Sequence, residues 1–370
     1  MALKRFGPEY GIAPWKIDSS VERYLSHRAD SSEFWKSIYV WYYRIFDAQY
    51  YKGGLKMIEK SLEINKEKVG GNLTPSKRKQ IAKDMIYSLH RFGCEFNEYF
   101  AYEFYRLNTE ARDSFICSKK RWPYYLFFNG SRNNPVFDDK NLTYETFSDF
   151  IHRDYCNIKT IEDKAKFDDF ENRVQKYLIK PEGGSGGRGV LIANRGDFTI
   201  EDLLNKYSNG FMAEEIIVNH DELSEINPSS LNTIRVVTIR TEKQTEIVYA
   251  FIRFGRKGSV VDNAFCGGII CDIDLKLGIV TSASSEAGER HIIHPDSKKP
   301  LLGLQIPFWQ EVKETALKLA DVLPATRYVG WDLAVTKVGV VMIEANCKGE
   351  FVNQIASARG IKSEIEKLMQ

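Results

Sequence analysis

The sequence has no CxxC pair, no long apolar run and no excess of charge of one sign. Its six cysteines are scattered through 370 residues, which is typical of free thiols in a reducing compartment, so we expect a cytoplasmic protein. No run approaches the ~20 apolar residues of a membrane span, and the first residues lack the apolar core of a signal peptide, so we expect neither. The net charge of +2 gives no support for a nucleic-acid partner.

The front of the chain has the periodicity of helices and many aromatic residues. Thr74 and Pro75 predict a helix start, with the threonine as N-cap and the proline in the first turn. An apolar set at helical spacing predicts a packed core stripe. Its members are Trp35, Ile38, Trp41, Tyr42 and Ile45. We therefore expect residues 1–125 to be mainly helical.

Beyond residue 175 the chain becomes rich in β-branched residues that alternate with polar ones. This pattern predicts strands, with breaks at the intervening turns. The segments are Leu231–Arg240, Glu246–Phe254, Gly267–Ile273 and Tyr328–Ile343. Trp309–Leu323 has an apolar face and predicts an amphipathic helix. The fold class expected from these elements is α+β.

The most informative stretch is Tyr177–Asn194, in which a lysine and a glycine-rich loop lie between two apolar strands. Five of the seven residues 183–189 are glycines. Glycine has no Cβ, so the backbone N–H groups of such a loop can approach a phosphate chain. Lys180, at the end of the first strand, would place a positive charge beside those phosphates. The stretch predicts a β-hairpin lid over the phosphates of ATP.

Two other nucleotide-binding motifs occur in the chain, and their surroundings argue against both. Gly184–Gly189 satisfies GxGxxG, but strand residues follow it where a dinucleotide-binding turn needs a helix. His152–Asp154 spells HRD, but it precedes the glycine-rich loop and no DFG occurs, so the order of a protein kinase is not met. The hairpin lid is the interpretation that remains.

A second candidate site lies in the last predicted hairpin. If its turn is a three-residue loop at 337–339, Asp332 falls opposite Glu344, and both side chains leave the same face. Asn346 shares that face because strand side chains alternate. Two carboxylates and an amide oxygen form a hard, oxygen-rich site suited to Mg²⁺.

The order of these two motifs, about 150 residues apart, resembles the ATP-grasp superfamily. Further segments narrow the resemblance to the sugar-transfer-associated ATP-grasp group. They are Ser230–Val237, Arg253–Gly255, Val261–Asn263, Gly267–Gly268, His294–Pro295, Ile306–Trp309 and Gly330–Asp332. The resemblance implies an ATP-grasp fold, in which two α+β subdomains grip ATP, after a mainly helical N-terminal region. The expected divisions are 1–125, 126–213 with the hairpin lid, and 214–370 with the Mg²⁺ site.

The resemblance also implies roles for individual residues. The nucleotide would be held by Lys140, Lys180, Gly184, Ser185, Gly186, Gly187, Glu214, Glu215 and Ile217, with either Asp221 or Glu222 on the ribose hydroxyls. Mg²⁺ would lie at Asp332, Glu344 and Asn346. Arg235 and Arg253, on neighbouring strands, would clamp the substrate carboxylate and then the transferring phosphoryl group, with Lys180 as the third catalytic residue.

The function that follows is an ATP-dependent carboxylate–amine ligase that forms an amide through an acyl phosphate. Its acid would be a sugar acid or a related acid of cell-surface polysaccharide biosynthesis, and ATP and Mg²⁺ would be its cofactors. Two alternatives stay open: an ATP-grasp phosphotransferase and a catalytically silent nucleotide-binding protein. The expected partners are the small-molecule acid and amine, with a homodimer or an association with glycosyltransferase-pathway proteins also compatible with the sequence.

Overall fold

The structure is a computed structural model that describes residues 20–46, 48–130, 134–182, 189–256, 258–259, 262, 267–347 and 351–370. The chain divides into two compact units. One unit comprises Met1–Arg132, Ser282–His291 and Glu350–Gln370, and the other comprises Asn133–Thr281 and Ile292–Gly349. The predicted divisions at 125/126 and 213/214 stay a prediction.

Helices and strands are both abundant, which confirms the expected mixed fold class. The α-helices of the described residues are α1 (Ser20–Ser31), α2 (Glu33–Phe46), α3 (Ala48–Asn65), α4 (Pro75–Phe92), α5 (Phe96–Ala101), α6 (Thr109–Asp113), α7 (Trp122–Asn129), α8 (Lys140–Thr146), α9 (Lys164–Arg173), α10 (Ile200–Lys206), α11 (Asp221–Ile226), α12 (Trp309–Val322), α13 (Asn353–Ser357) and α14 (Lys362–Lys367). The strands are β1 (Tyr155–Ile158), β2 (Lys176–Pro181), β3 (Leu191–Asn194), β4 (Phe211–Glu215), β5 (Ile234–Arg240), β6 (Thr245–Phe254), β7 (Ile269–Ile273), β8 (Val280–Ser285), β9 (Tyr328–Thr336) and β10 (Gly339–Asn346).

The first unit contains the helical front, as the sequence predicts. Thr74 caps α4 by accepting a hydrogen bond from the Lys77 backbone N–H, and Pro75 opens the helix. The predicted core stripe is wrong at two of its members, because Trp41 is 60% and Ile45 is 51% exposed. Among the described side chains of α2, Tyr39 is the fully buried aromatic, and it lies on the side of the helix opposite Trp41.

The second unit contains a four-stranded antiparallel sheet in the order β1–β4–β2–β3. Strands β2 and β3 are antiparallel, and their pairing runs from Lys176 opposite Asn194 to Ile179 opposite Leu191. This confirms the hairpin on either side of the glycine-rich loop. Helix α9 packs against β1. The core beneath this sheet is apolar and largely aromatic, and its bulkiest members are Phe167, Phe170, Tyr177, Tyr207 and Phe211.

The same unit holds most of a six-stranded sheet in the order β10–β9–β5–β6–β7–β8. The predicted strand segments are confirmed as β5, β6, β7 and the paired strands β9 and β10, whereas β8 was not predicted. The predicted amphipathic helix is confirmed as α12, and it packs against the central strands with Val312, Ala316 and Leu319 fully buried. Trp331 of β9 is also fully buried, and its indole N–H donates to Thr238 Oγ1 at 2.9 Å.

The sequence predicts no membrane-spanning segment and free cysteines, and both predictions can be compared with the described residues. None of the described helices is both long and apolar enough to cross a bilayer. Cys94, Cys117, Cys156, Cys271 and Cys347 are free thiols, as expected.

Candidate active site

Lys180, the lysine of the glycine-rich stretch, lies in the four-stranded sheet. It is the penultimate residue of β2, and the register of β2 with β4 sets Glu214 diagonally across from it. The Lys180 ammonium group and the Glu214 carboxylate form an ion pair, in which the lysine side chain is 22% and the glutamate side chain 4% exposed. A buried carboxylate thus fixes the lysine, whose side chain stays partly exposed.

Glu214 is held by two further side chains. Arg153 Nε donates to Glu214 Oε2 at 3.2 Å, and the Tyr144 hydroxyl donates to the same oxygen. Burial opposes the charge on Glu214, but Lys180 and Arg153 outweigh it and lower the pKa of Glu214 to about 2. Burial, followed by the charge of Glu214, raises the pKa of Tyr144 to about 12. At neutral pH the glutamate is therefore ionised and the tyrosine is protonated.

Arg235 and Arg253 lie on the neighbouring strands β5 and β6, and both bind Asp332 of β9. Arg235 donates to the two carboxylate oxygens of Asp332 through Nε at 2.6 Å and NH2 at 2.7 Å. Arg253 NH2 lies 3.2 Å from Asp332 Oδ1. Burial disfavours the charge on Asp332, but the two arginines outweigh it and lower the pKa of this carboxylate. The predicted metal ligand and the predicted clamp therefore form one buried ion cluster.

Thr233 and Asp262 hold Arg253 from its other side. The Thr233 hydroxyl accepts hydrogen bonds from Arg253 Nε at 3.1 Å and NH2 at 2.6 Å. That hydroxyl and the Thr233 backbone N–H donate to Asp262 Oδ2 at 2.5 and 2.7 Å. Burial raises the pKa of Asp262, and Arg253 partly offsets this. Within the described residues, the NH1 groups of Arg235 and Arg253 have no hydrogen-bond acceptor.

The hairpin of β9 and β10 pairs Asp332 with Glu344, as predicted, and Gly330 with Asn346. Gly330 also makes room for the ion cluster, because a Cβ there would lie 2.9 Å from Arg235 Cδ. The backbone of β9 thus passes directly beneath the guanidinium group that binds Asp332.

The turn of this hairpin is shorter than predicted. Thr336 pairs with Gly339, so only residues 337–338 separate the strands, and the three-residue loop is wrong. Gly339 has a φ of 137°, a backbone conformation that residues with a Cβ rarely adopt, and it closes the tighter turn. A two-residue turn alone would shift every later pair by one residue. A bulge between Met342 and Glu344 adds one residue to β10 and restores the pairing of the two acids.

Glu344 and Asn346 suit a divalent cation. Glu344 is exposed, and among the described residues neither side chain has a hydrogen bond or ion pair. The protein atoms around Glu344, followed by the charge of Asp332, raise the pKa of Glu344, so a cation between the two acids would be favourable. Asp332 accepts three of the about four bonds that a carboxylate can make, which leaves a position on Oδ2.

The two sheets bring their charged groups close together. Arg235, Lys180 of β2 and Arg253 are near enough to Glu344 of β10 for their charges to offset part of the rise in its pKa. Lys180 and the acids of the β9–β10 hairpin are about 150 residues apart in sequence, but they are close enough in the fold to affect each other's charge.

The other predicted nucleotide contacts are placed as follows. Lys140 is the first residue of α8, after Asp139, whose side chain caps the helix. Glu215 ends β4 and accepts from the Asp154 backbone N–H at 3.2 Å, and Ile217 follows it, half-buried. Gly184, Ser185, Gly186 and Gly187 lie outside the described residues.

The two candidates for the ribose differ in their surroundings. Asp221 and Glu222 are the first two residues of α11, and both are exposed. Asp221 forms an ion pair of 2.7 Å with Lys337, whereas Glu222 forms none with any described residue. Which of them contacts the ribose stays a prediction.

Sequence analysis missed Tyr144, Thr233, Asp262 and Gly330, and it considered Arg153 as part of the HRD triplet that it rejected as a kinase motif. Arg153 is instead a buried residue of the Glu214 cluster, with a side chain that is 2% exposed. Thr233, Asp262 and Gly330 lie inside segments that carry the family resemblance, and this resemblance could have pointed to their place in the site. Tyr144 had no signal, because only the fold brings it to Glu214.

Comparison with known proteins assigns the chain to a class. The sequence profile of the sugar-transfer associated ATP-grasp family matches residues 119–370, which is more than half of the chain. The chain therefore belongs to this family, which confirms the resemblance found in the sequence and the predicted ATP-grasp fold.

Several solved structures are similar to part of the chain. The ATP-grasp ligase PsnB, complexed with minimal precursor, Mg and ADP, is 14% identical over 65% of this chain and 61% of that chain, with a TM-score of 0.41. The L-amino acid ligase from Bacillus licheniformis is 10% identical over 69% of this chain and 54% of its own, with a TM-score of 0.41. D-Alanine–D-alanine ligase from Helicobacter pylori is 18% identical over 64% and 61%, with a TM-score of 0.40. The chain thus spans about three fifths of the length of PsnB. No curated protein matches the sequence.

Proposed function

We propose that the chain is an ATP-dependent carboxylate–amine ligase that forms an amide through an acyl phosphate. The observation that carries the proposal is that NH1 of each of the two arginines fixed by Asp332 has no acceptor among the described residues. Two planar cations with unused donors on neighbouring strands suit a carboxylate substrate, since guanidinium groups bind carboxylates in fork geometry. Membership of the ATP-grasp family supports the same chemistry.

The nucleotide would lie between the two sheets of the second unit. Lys140 and Lys180 would bind its phosphates beneath the loop that contains Gly184, Ser185, Gly186 and Gly187. The base would lie against Glu214, Glu215 and Ile217, with Asp221 or Glu222 on the ribose. Mg²⁺ would be held by Asp332, Glu344 and Asn346, and when bound it would neutralise charge on the phosphates.

Two bond exchanges would complete the reaction. A carboxylate oxygen of the acid, oriented by Arg235 and Arg253, bonds to the γ-phosphorus as the bond to ADP breaks. The amine nitrogen then bonds to the acyl carbon, the C–O bond breaks, phosphate leaves with the electron pair, and the amine proton passes to solvent. Arg235 and Arg253 stabilise the charge that develops on the transferring group. The hairpin would exclude water, which hydrolyses acyl phosphates.

The acid is proposed to be a sugar acid, or a related acid, of a cell-surface polysaccharide pathway, and the amine an amino acid or similar compound. The description of the family as sugar-transfer associated supports this pathway. The free cysteines suit a cytoplasmic location. A homodimer or an association with pathway proteins belongs to the same proposal.

The test is a screen of acid–amine pairs with Mg²⁺ and ATP, including uronic acids with common amino acids. We expect ADP and phosphate only when both acid and amine are present, and ¹⁸O from the acid carboxylate in the released phosphate. A stable phosphorylated product would instead support a phosphotransferase and overturn the ligase. Wild-type protein that binds no ATP would overturn any nucleotide chemistry.

A matched pair of variants tests the site. Lys180→Gln should lose about tenfold or more in nucleotide affinity, since a charge-assisted contact is lost. Lys176→Gln makes the same change at an exposed position of the same strand and should stay within about twofold of wild type. Equal affinities for the two variants would contradict the role of Lys180.

A further inference from the structure

Arg153 lies between α8 and β1, and its guanidinium group is almost completely enclosed. Its side chain is 2% exposed. NH1 donates to the carbonyl oxygens of Ile151 at 3.1 Å and of Met342 at 2.7 Å. Nε donates to Glu214 at 3.2 Å, and NH2 donates to the Tyr144 hydroxyl. Four of its five N–H groups therefore have acceptors, and these belong to separate parts of the second unit.

The bond to Met342 meets β10 at its bulge. Met342 is the last residue of β10 before the register shifts, and Glu344 is the first residue after it. A bulge interrupts the ladder of backbone hydrogen bonds, so a carbonyl at that point gains from a partner outside the sheet. Without the extra residue, Ile343 would oppose Asp332. The bulge thus decides that a carboxylate faces Asp332.

The bonds to Glu214 and Tyr144 meet the other sheet. Glu214 binds Lys180, so a displacement of the Glu214 carboxylate would move the ammonium group as well. Tyr144 reinforces this side only, because its hydroxyl accepts from Arg153 and donates to Glu214.

We propose that Arg153 is a positioning residue that ties the bulge of β10 to the Lys180–Glu214 pair, so that the metal end of the nucleotide site and the end that contains Lys180 and Glu214 keep a fixed spacing. This inference rests on the proposed function, because it gives those two ends their meaning. Arg153 acts through Met342 and Glu214 and touches no reacting atom.

The test is ADP binding to the full-length chain by calorimetry, first in EDTA and then across a Mg²⁺ titration. In Arg153→Lys the charge remains, but one ammonium group cannot reach both Glu214 and the Met342 carbonyl. We expect ADP affinity in EDTA to fall about tenfold. The Mg²⁺ concentration that gives half of the Mg²⁺-dependent change in ADP affinity should rise about tenfold. Tyr144→Phe should lower ADP affinity in EDTA and leave that Mg²⁺ concentration within about twofold of wild type.

Arg240→Lys is the control and should leave both quantities unchanged, since Arg240 ends β5 and its ion pair is with Asp321 of α12, at the solvent-exposed surface. Arg153→Lys with wild-type ADP affinity or wild-type Mg²⁺ dependence would overturn the inference alone. Wild-type protein that binds no ADP would overturn the proposed function and this inference with it. If Arg153→Lys does not fold, a Tyr144→Phe variant that shifts the Mg²⁺ dependence as much as the ADP affinity contradicts the separate roles of the two bonds.

Discussion

Neutralising the two paired acids of β9 and β10 should have opposite effects on stability. Asp332 is 3% exposed and is bonded by two guanidinium groups, so Asp332→Asn leaves two cations without their shared counter-charge. Glu344 is exposed, and the protein atoms around it, followed by the charge of Asp332, raise its pKa, so Glu344→Gln removes a disfavoured charge and no bond to any described residue.

The magnitude follows from the burial of the cluster. Removing one partner of a buried ion pair costs about 3–5 kcal/mol, because the remaining charge stays out of water without compensation. For a folded unit of about 200 residues, each kcal/mol lowers the melting temperature by about 2–4 °C. We therefore expect Asp332→Asn to melt about 6–20 °C below wild type and Glu344→Gln to melt at or slightly above it.

The assay is thermal unfolding followed by circular dichroism, in EDTA and without nucleotide, so that only the free protein is compared. Were Asp332 simply one of two mutually repelling metal ligands, neutralising it would stabilise the free protein. Asp332→Asn melting at or above the wild-type temperature would refute the ion cluster. An equal loss in Glu344→Gln would refute the difference between the two acids.

Two further results are expected. The pKa of Glu214 falls from 4.5 to about 2 on folding, so the glutamate contributes about 3 kcal/mol to stability above pH 4.5, and this is lost as pH falls toward 2. In acid titrations Glu214→Gln should therefore lose stability less steeply than wild type over this range. Parallel curves would contradict the shift. Gly330→Ala should lose about 1–3 kcal/mol in urea unfolding, since its Cβ would lie 2.9 Å from Arg235 Cδ while Asp332 holds that arginine, and wild-type stability would show that Arg235 is free to move.

Local patterns in the sequence predicted the hairpins, because strand alternation has a period of two that can be counted along the chain. The pairing of Asp332 with Glu344 was predicted from a turn that the structure does not have. A shorter turn and a bulge each shift the register by one residue, and the two shifts cancel. Neither feature has a strong signal in the sequence, since a bulge depends on contacts such as that of Arg153 with Met342.

Contacts between distant segments could not be predicted in the same way. Arg235 and Asp332 are 97 residues apart, and only the pairing of β5 with β9 joins them. The exposure of Trp41 and Ile45 has a similar origin. Helical periodicity shows that an apolar face exists, but which face is covered depends on the neighbouring helices.

The two ion clusters carry net charges of opposite sign, so the proposed site has a positive end and a negative end. Around Glu214, two cationic side chains face one carboxylate. Around Asp332, two guanidinium groups face that carboxylate, Asp262 and the nearby Glu344. The first cluster has a surplus of positive charge and the second of negative charge when Glu344 is ionised. Anionic phosphates are therefore favoured beside Lys180, and a divalent cation beside Glu344, before any shape-dependent contact forms.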